Sequence, residues 1–255
     1  MKIATWNVNS ILARLPHVTR WLDTAQPDVL CMQETKCTDD KFPVAVFREH
    51  GYRCIYLGQQ SYNGVAIASR EECVPKHRGY AAEDLDGSAR LLTTTIQDVH
   101  IINIYVPNGQ MVGSEKYQFK LKWLKQLRVF LDTQYQQSQP VLLCGDFNVA
   151  PEERDVHDPR LWQGRILFSE AERVAIQEVK AWGFTDAFRL HEERGGYYSW
   201  WDYRAGAFRR NHGLRIDHIW VSQPLIARNK TTMIDLEPRT WEKPSDHAPV
   251  VAEFE

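Results

Sequence analysis

Short apolar runs recur along the chain, each closed by polar or turn-forming residues. Residues 2–6, 28–33, 53–57, 64–69, 90–97, 99–106, 141–145, 215–222 and 248–254 carry the β-branched and aliphatic content of strands. Residues 15–25, 115–135 and 170–182 read as helices. In the second of these, Tyr117, Leu121, Leu124, Leu127 and Leu131 share one face, with Lys116, Lys120, Lys122 and Lys125 around it. The third opens with Ser169 and Glu172, the spacing of a capping box, and stops before Gly183. Several strands follow one another with no helix between them. That order predicts mixed β-sheets covered by helices rather than a regular βαβ array. No repeat, low-complexity tract or linker interrupts the pattern, so residues 1–255 read as a single domain.

Composition narrows the class. Hydrophobic residues make up 43% and charged residues 25% of the chain, which predicts a globular, soluble protein. No apolar run is long enough to span a bilayer, so no membrane is expected as a partner. The N-terminus reads as a strand over Lys2-Ile3-Ala4-Thr5-Trp6 instead of a signal peptide. Cys31, Cys37, Cys54, Cys73 and Cys144 are odd in number and form no CxxC pair. A reduced, cytoplasmic setting fits them better than a disulfide framework. Net charge is −2, so nucleic-acid binding has no global signature. Locally, residues 189–230 hold eight Lys/Arg against four acids, and 115–128 hold five basic residues against Glu115 alone. Such patches suit a phosphate backbone, but charge alone favours the plainer reading of solvated surface.

The chemistry lies in the polar residues at the ends of the apolar runs. Ile3–Trp6 runs into Asn7, Val29–Met32 into Gln33-Glu34, and Ile101–Ile104 into Tyr105 and Asn108. Val141–Gly145 runs into Asp146 and Asn148, Ile216 is followed by Asp217, and Ser245-Asp246-His247 precedes the last strand. Functional groups in α/β proteins gather where strands end. If these ends share one rim, they form a cluster of carboxylates, amides, one phenol and one imidazole. Such an oxygen-rich set without cysteine suits Mg²⁺ or Mn²⁺ better than zinc. Singly, Asn7 and Asn148 read equally well as turn residues, Tyr105 as a core phenol and Asp246-His247 as a surface turn. The set, not any one member, points to catalysis.

These residues resemble the exonuclease III / AP endonuclease family of the DNase I-like endonuclease/exonuclease/phosphatase superfamily. The resemblance is carried by Thr5-Trp6-Asn7-Val8-Asn9, Gln33-Glu34-Thr35-Lys36, Tyr62-Asn63-Gly64-Val65-Ala66, Tyr105-Val106-Pro107-Asn108 and Gly145-Asp146-Phe147-Asn148. It continues through Ser199-Trp200-Trp201-Asp202-Tyr203-Arg204, Leu214-Arg215-Ile216-Asp217 and Lys243–Pro249. Gly-Asp-Phe-Asn and Ser-Asp-His mark only the superfamily. The Gln-Glu-Thr-Lys and Trp-Asp-Tyr-Arg…Leu-Arg-Ile-Asp segments mark the DNA-repair branch.

The resemblance implies a four-layered α/β sandwich of two packed mixed sheets flanked by helices. It implies a Mg²⁺-dependent DNA phosphodiesterase, with Mn²⁺ able to substitute. Such an enzyme removes nucleotides from 3′ ends of double-stranded DNA, cuts 5′ to abasic sites, or does both, as a monomer. Glu34 is then the principal metal ligand, with Asn7 and Asp246 completing or supporting the coordination. Asp146 activates water, Asn148 holds the water or the phosphate, and His247 is held by Asp217. Tyr105 and Asn108 contact the phosphate. Trp200, Trp201 and Leu214 wall a pocket for a flipped sugar or terminal nucleotide, one of the two tryptophans being structural. Arg90 binds substrate, and Tyr62, Asn63, Lys120 and Arg204 are looser candidates for backbone contacts. Leu167 stands where relatives with strong abasic-site incision often carry a small residue, which predicts a bias toward 3′ ends. The rival readings are a superfamily phosphatase acting on inositol phosphates or lipids, and a non-catalytic DNA-binding module.

Overall fold

The computed structural model describes residues 1–80 and 87–255. The strands are β1 (Lys2–Asn7), β2 (Val29–Gln33), β3 (Arg53–Leu57), β4 (Val65–Ser69), β5 (His77–Arg78) and β6 (Leu91–Ile96). They continue as β7 (Val99–Tyr105), β8 (Val141–Asp146), β9 (Thr185–Asp186), β10 (Asp217–Val221), β11 (Asn229–Ile234) and β12 (Val250–Phe254). The helices are α1 (Ile11–Ala25), α2 (Val44–Glu49), α3 (Glu115–Gln134), α4 (Pro159–Trp162), α5 (Glu170–Lys180) and α6 (Gln223–Ile226).

The strands form two six-stranded sheets, ordered β11-β12-β1-β2-β4-β3 and β5-β6-β7-β8-β10-β9. Each sheet has one parallel pair at its centre, β1/β2 and β7/β8, and antiparallel neighbours outside it. The central strands are apolar on both faces because both are covered. Ile3, Val29 and Cys31 point into the space between the sheets, where they meet Ile101, Leu142 and Cys144. The alternate residues Ala4, Leu30 and Met32 meet Val18, Trp21 and Leu22 of α1 on one outer face. On the other, Val141 and Leu143 meet Trp123, Leu127 and Leu131 of α3 with Ile176 and Val179 of α5. Helix, sheet, sheet, helix is therefore the layer order, as the resemblance implies.

The sheets are also locked by polar groups in the core. Gln33 Nε2 donates to Thr5 Oγ1 at 2.8 Å and, across the interface, to Asn103 Oδ1 at 2.7 Å. Asn103 Nδ2 returns to the Met32 and Ala66 carbonyls at 3.0 and 2.9 Å. Buried amides placed this way fix the register of one sheet against the other.

Helix α3 starts at the Ser114 cap, and α5 carries the Ser169/Glu172 capping box expected from its sequence. Helix α1 starts at Ile11, one turn before the expected residue 15, capped by the Ser10 hydroxyl. It runs through Pro16, whose fixed φ and missing N–H favour a helix start on sequence grounds. The strands β5, β9 and β11 and the short helices α2, α4 and α6 are additions to the expected set.

Candidate active site

The topology puts the functional residues on one edge. In the parallel pair β1/β2, Asn7 lies opposite Gln33, and Glu34 is the next residue. In β7/β8, Tyr105 lies opposite Asp146. Strand β10 runs antiparallel to β8 and starts there, with Asp217 opposite Asp146. Strand β12 runs antiparallel to β1, so the 245–249 segment enters at the same edge. His247 is tied there by a bridge to Trp200 and by Trp6 Nε1, which donates to its carbonyl at 3.2 Å. Glu34 and Asn148 both sit in the left-handed region, at φ 52° and 48°. Gly64 is required beside the first of these turns. A Cβ there would lie 2.0 Å from Thr35 Oγ1, and its carbonyl accepts from Thr35 N.

Asn7 joins the two carboxylates. Its Nδ2 donates to Glu34 Oε1 and to Asp146 Oδ2, both at 2.9 Å, while its Oδ1 accepts from Asn9 N at 3.0 Å. Ligand atoms of Glu34, Asp146 and His247 all lie within 4.8 Å of one another. Lys36 Nζ sits 2.7 Å from Glu34 Oε2 and donates to Asn9 Oδ1 at 2.6 Å. His247 Nδ1 is 2.8 Å from Asp217 Oδ2, and Nε2 is 3.8 Å from Asp146 Oδ2. Ser199 Oγ donates to the same Asp217 oxygen at 2.7 Å. Asn148 Nδ2 donates to Asp146 Oδ2 and the Val106 carbonyl, at 3.1 and 2.9 Å. Asn108 Nδ2 donates to Asn148 Oδ1 at 3.1 Å.

Electrostatics divides the rim into acceptors and donors. Burial works against a charged ring at His247, yet Asp217, then Asp146 and Asp246, outweigh it and lift its pKa to about 10. The imidazole is thus protonated at neutral pH, with Nδ1–H held by Asp217 and Nε2–H toward the cavity. Burial, then Asp217 and Glu34, raise Asp146 to about 7 against the opposing pull of His247 and Asn7. Burial also opposes ionisation of Glu34, but Lys36 and Asn7 hold its pKa below the ordinary value. Tyr105 is raised well above its usual range by burial first, then by Glu34 and Asp146. Its phenol stays a donor.

This donor set fits a hard divalent cation. Glu34 and Asp146 offer carboxylate oxygens, and no thiolate is among the grouped side chains. Mg²⁺ is typically held by one or two carboxylates, its other positions left for water and phosphate oxygens. A carboxylate whose pKa stands at about 7 is short of positive charge, which such an ion supplies.

Other expected residues fall into place or do not. Asp246 stands behind the group: Oδ1 accepts from Asn9 Nδ2 and Oδ2 from Trp200 Nε1, both at 2.9 Å. Asn7 is present as a donor between carboxylates, its oxygen already bonded. Arg90 lies over the Tyr105 ring at 4.7 Å and donates to the Tyr105 carbonyl at 3.3 Å. Asn108 is exposed at the rim, and Trp200 is partly exposed. Leu214 corrects the expectation that it walls a pocket, and of the two tryptophans, one of which was expected to be structural, Trp201 is the buried one and is corrected as a pocket wall. Trp201 and Leu214 both have 0% exposure, because Trp201 packs edge-on to Phe208 and Leu214 fills a cluster with Ala150, Val156 and Phe168. Lys120 is a second correction, since its side chain is wholly buried and cannot reach a DNA backbone. Ser199 and Lys36 are polar partners of the site to which sequence reasoning gave no role, although both lie inside the segments that carried the resemblance.

Residues 4–247 match the endonuclease/exonuclease/phosphatase family. The chain is 34% identical to exodeoxyribonuclease III of Haemophilus influenzae over 266 residues, covering 100% of both proteins. Among solved structures, an AP endonuclease from Archaeoglobus fulgidus matches with a TM-score of 0.95 and 43% identity, covering 100% of this chain and 99% of that one. The 3′ phosphatase NExo from Neisseria, bound to a product DNA hairpin, matches with a TM-score of 0.94 and 43% identity, at the same coverages.

Proposed function

The chain belongs to the endonuclease/exonuclease/phosphatase family, and on that premise we propose that it is a divalent-metal-dependent DNA-repair phosphodiesterase. Its substrates on this reading are 3′ ends of duplex DNA and abasic sites, and its ion is Mg²⁺, with Mn²⁺ as a substitute. The observation that carries the reading is the convergence of Glu34, Asp146 and His247, remote in sequence, within 4.8 Å. An inositol-phosphate or lipid phosphatase is disfavoured by the full-length similarity to an exodeoxyribonuclease.

Glu34 would hold the ion, with Asn7 fixing it beside Asp146. Bound there, Mg²⁺ supplies charge that polarises the phosphoryl oxygens and steadies the departing 3′ oxygen. Asp146 orients the attacking water and takes its proton, its carboxylate held in place by Asn7 and Asn148. His247 donates from Nε2 to a phosphate oxygen while Asp217 holds its other nitrogen. Tyr105 and Asn108 add neutral donors that need not reorganise as charge builds on phosphorus, and Asn148 orients Asp146 and Asn108. Trp200, partly exposed, adjoins His247 and Asp246.

Leu167 bears on substrate balance. It is a non-glycine residue at φ 74°, 5% exposed, packed in a cluster that Trp200 also touches. Left-handed backbone costs an L residue about 1–2 kcal/mol, so a glycine would sit there more comfortably. A leucine at this position fits a wall that crowds an internal flipped sugar.

The test uses defined duplexes: one with an internal abasic site, one with a recessed 3′ end and one with a 3′ phosphate. Cutting is expected with Mg²⁺ or Mn²⁺ and not in EDTA, and inositol phosphate is expected to be spared. Undiminished turnover in excess EDTA would refute the reading. Leu167→Gly is expected to raise abasic incision relative to 3′-end removal, and an unchanged ratio would dismiss the wall.

A further inference from the structure

A buried ion pair lies behind the site. Lys120 of α3 and Glu172 of α5 are both 0% exposed and in direct contact. Lys120 uses its remaining donors on two backbone carbonyls, Asn108 at 3.1 Å and Asn148 at 2.6 Å. Glu172 Oε1 also accepts from Leu167 N at 3.1 Å, and Oε2 accepts from Ser169 N and Oγ at 3.0 and 2.6 Å. An ammonium has three N–H groups and a carboxylate about four acceptor positions. Each is engaged.

Burying such a pair adds little stability, because desolvation offsets most of the attraction. Its partners suggest another purpose. On the reading above Asn108 reaches the phosphate, and its amide is set by Asn148, whose own N–H groups go to Asp146 and the Val106 carbonyl. Asn148 and Leu167 are both left-handed; asparagine adopts this conformation readily, but at a leucine neighbours must enforce it. Lys120 holds the carbonyl of the first, and Glu172 the N–H of the second. The Leu167 carbonyl in turn accepts from Ala150 N at 2.8 Å, two residues past Asn148. The close fit extends to Gly109, where a Cβ would lie 3.1 Å from Lys120 Cδ.

We propose that the Lys120–Glu172 pair is a positioning clamp for the reaction, fixing Asn148, which in turn holds Asp146 and the Asn108 amide, and setting Leu167 against the substrate. Neither residue touches DNA. The clamp acts through the asparagines, so its loss should lower turnover more than binding. The inference rests on the phosphodiesterase reading above.

Lys120→Met alone would strand a buried carboxylate and report on folding. The paired replacement Lys120→Met/Glu172→Met removes both charges at similar volume and avoids a lone buried charge. It leaves the Asn108 and Asn148 carbonyls and the Leu167 and Ser169 N–H groups without partners, so Tm is expected to fall while the protein stays folded. On the recessed 3′ end with Mg²⁺, its kcat should fall about 10²-fold, as for loss of an aligned donor, with KM little changed. Asn148→Ala should cost the parent heavily and cost the paired variant much less, since the amide there is already misplaced. A folded paired variant with parental kcat would overturn the clamp. So would additive losses in the Asn148 cycle, which denote an independent structural role. If the methionine pair does not fold, the same cycle is run on Lys120→Gln/Glu172→Gln, where additive losses would again overturn the clamp. A parent protein that cuts none of the duplexes would instead overturn the phosphodiesterase reading.

Discussion

Asp217 Oδ2 accepts from both Ser199 Oγ–H and His247 Nδ1–H, and that one oxygen decides the charge of the imidazole. Asp217 is the largest of the influences raising His247. Removing it lowers the histidine pKa, so the ring deprotonates as pH rises through a lower value. The parent should lose activity as pH rises through about 10, where His247 gives up its proton. Asp217→Asn should move that alkaline limb toward neutrality and reduce kcat/KM at neutral pH by about 10²–10³-fold, the usual loss of an aligned donor. A pH profile with the limb unmoved would separate His247 protonation from catalysis. At this scale the sequence was informative wherever a polar residue followed a buried run: Asn7, Glu34, Tyr105, Asp146 and Asp217 all sit on the shared rim. It was uninformative where exposure decides, since Trp200 and Trp201 look alike until one is packed against Phe208. Lys120 belongs to a helix rich in lysine, and only packing distinguishes it from Lys116 and Lys122, which remain outside the core.

Among the elements, β8 has the narrowest tolerance. Gly145 has φ 140°, and a Cβ on it would lie 1.9 Å from the Ile104 carbonyl oxygen of β7. That oxygen belongs to backbone and cannot move aside without pulling the strand. Gly145→Ala should therefore displace the Asp146 end of β8. We expect a stability loss of about 1–3 kcal/mol, as for overpacking, and a fall in kcat of about 10²-fold, as for a displacement of about 1 Å. Thermal unfolding and turnover measured on one preparation check both, and a folded variant with normal turnover would contradict the role given to this glycine. The central strands were readable because apolar residues on both faces leave a continuous signal. The sheet edges were not. Strands β5 and β9 have two residues each, and β11, Asn-Lys-Thr-Thr-Met-Ile, pairs among the described residues only with β12. An edge strand needs no second apolar face and is often polar.

For the whole molecule, the convergence of two sheets gathers acidic groups whose mutual repulsion the fold must bear. Glu34, Asp217 and burial all disfavour ionised Asp146. A divalent ion relieves this only in the folded state, where the carboxylates meet. Mg²⁺ should therefore raise Tm, and saturation at a hundredfold over Kd corresponds to about 2.7 kcal/mol. At about 2–4 °C per kcal/mol for a chain of this size, the shift is measurable by calorimetry. Glu34→Gln should abolish most of it, and a Tm indifferent to Mg²⁺ would argue against an ion at this rim. The sequence by itself determined which apolar runs form the central strands and which polar groups stand at or near their ends. Those are local properties, set by apolar periodicity and turn chemistry. Tertiary structure alone decided that four strand ends share one edge, that Asp217 faces His247, and that Trp201, Leu214 and Lys120 are sealed inside. Burial and through-space distance depend on how two sheets and their helices pack, and no short window of sequence encodes that packing.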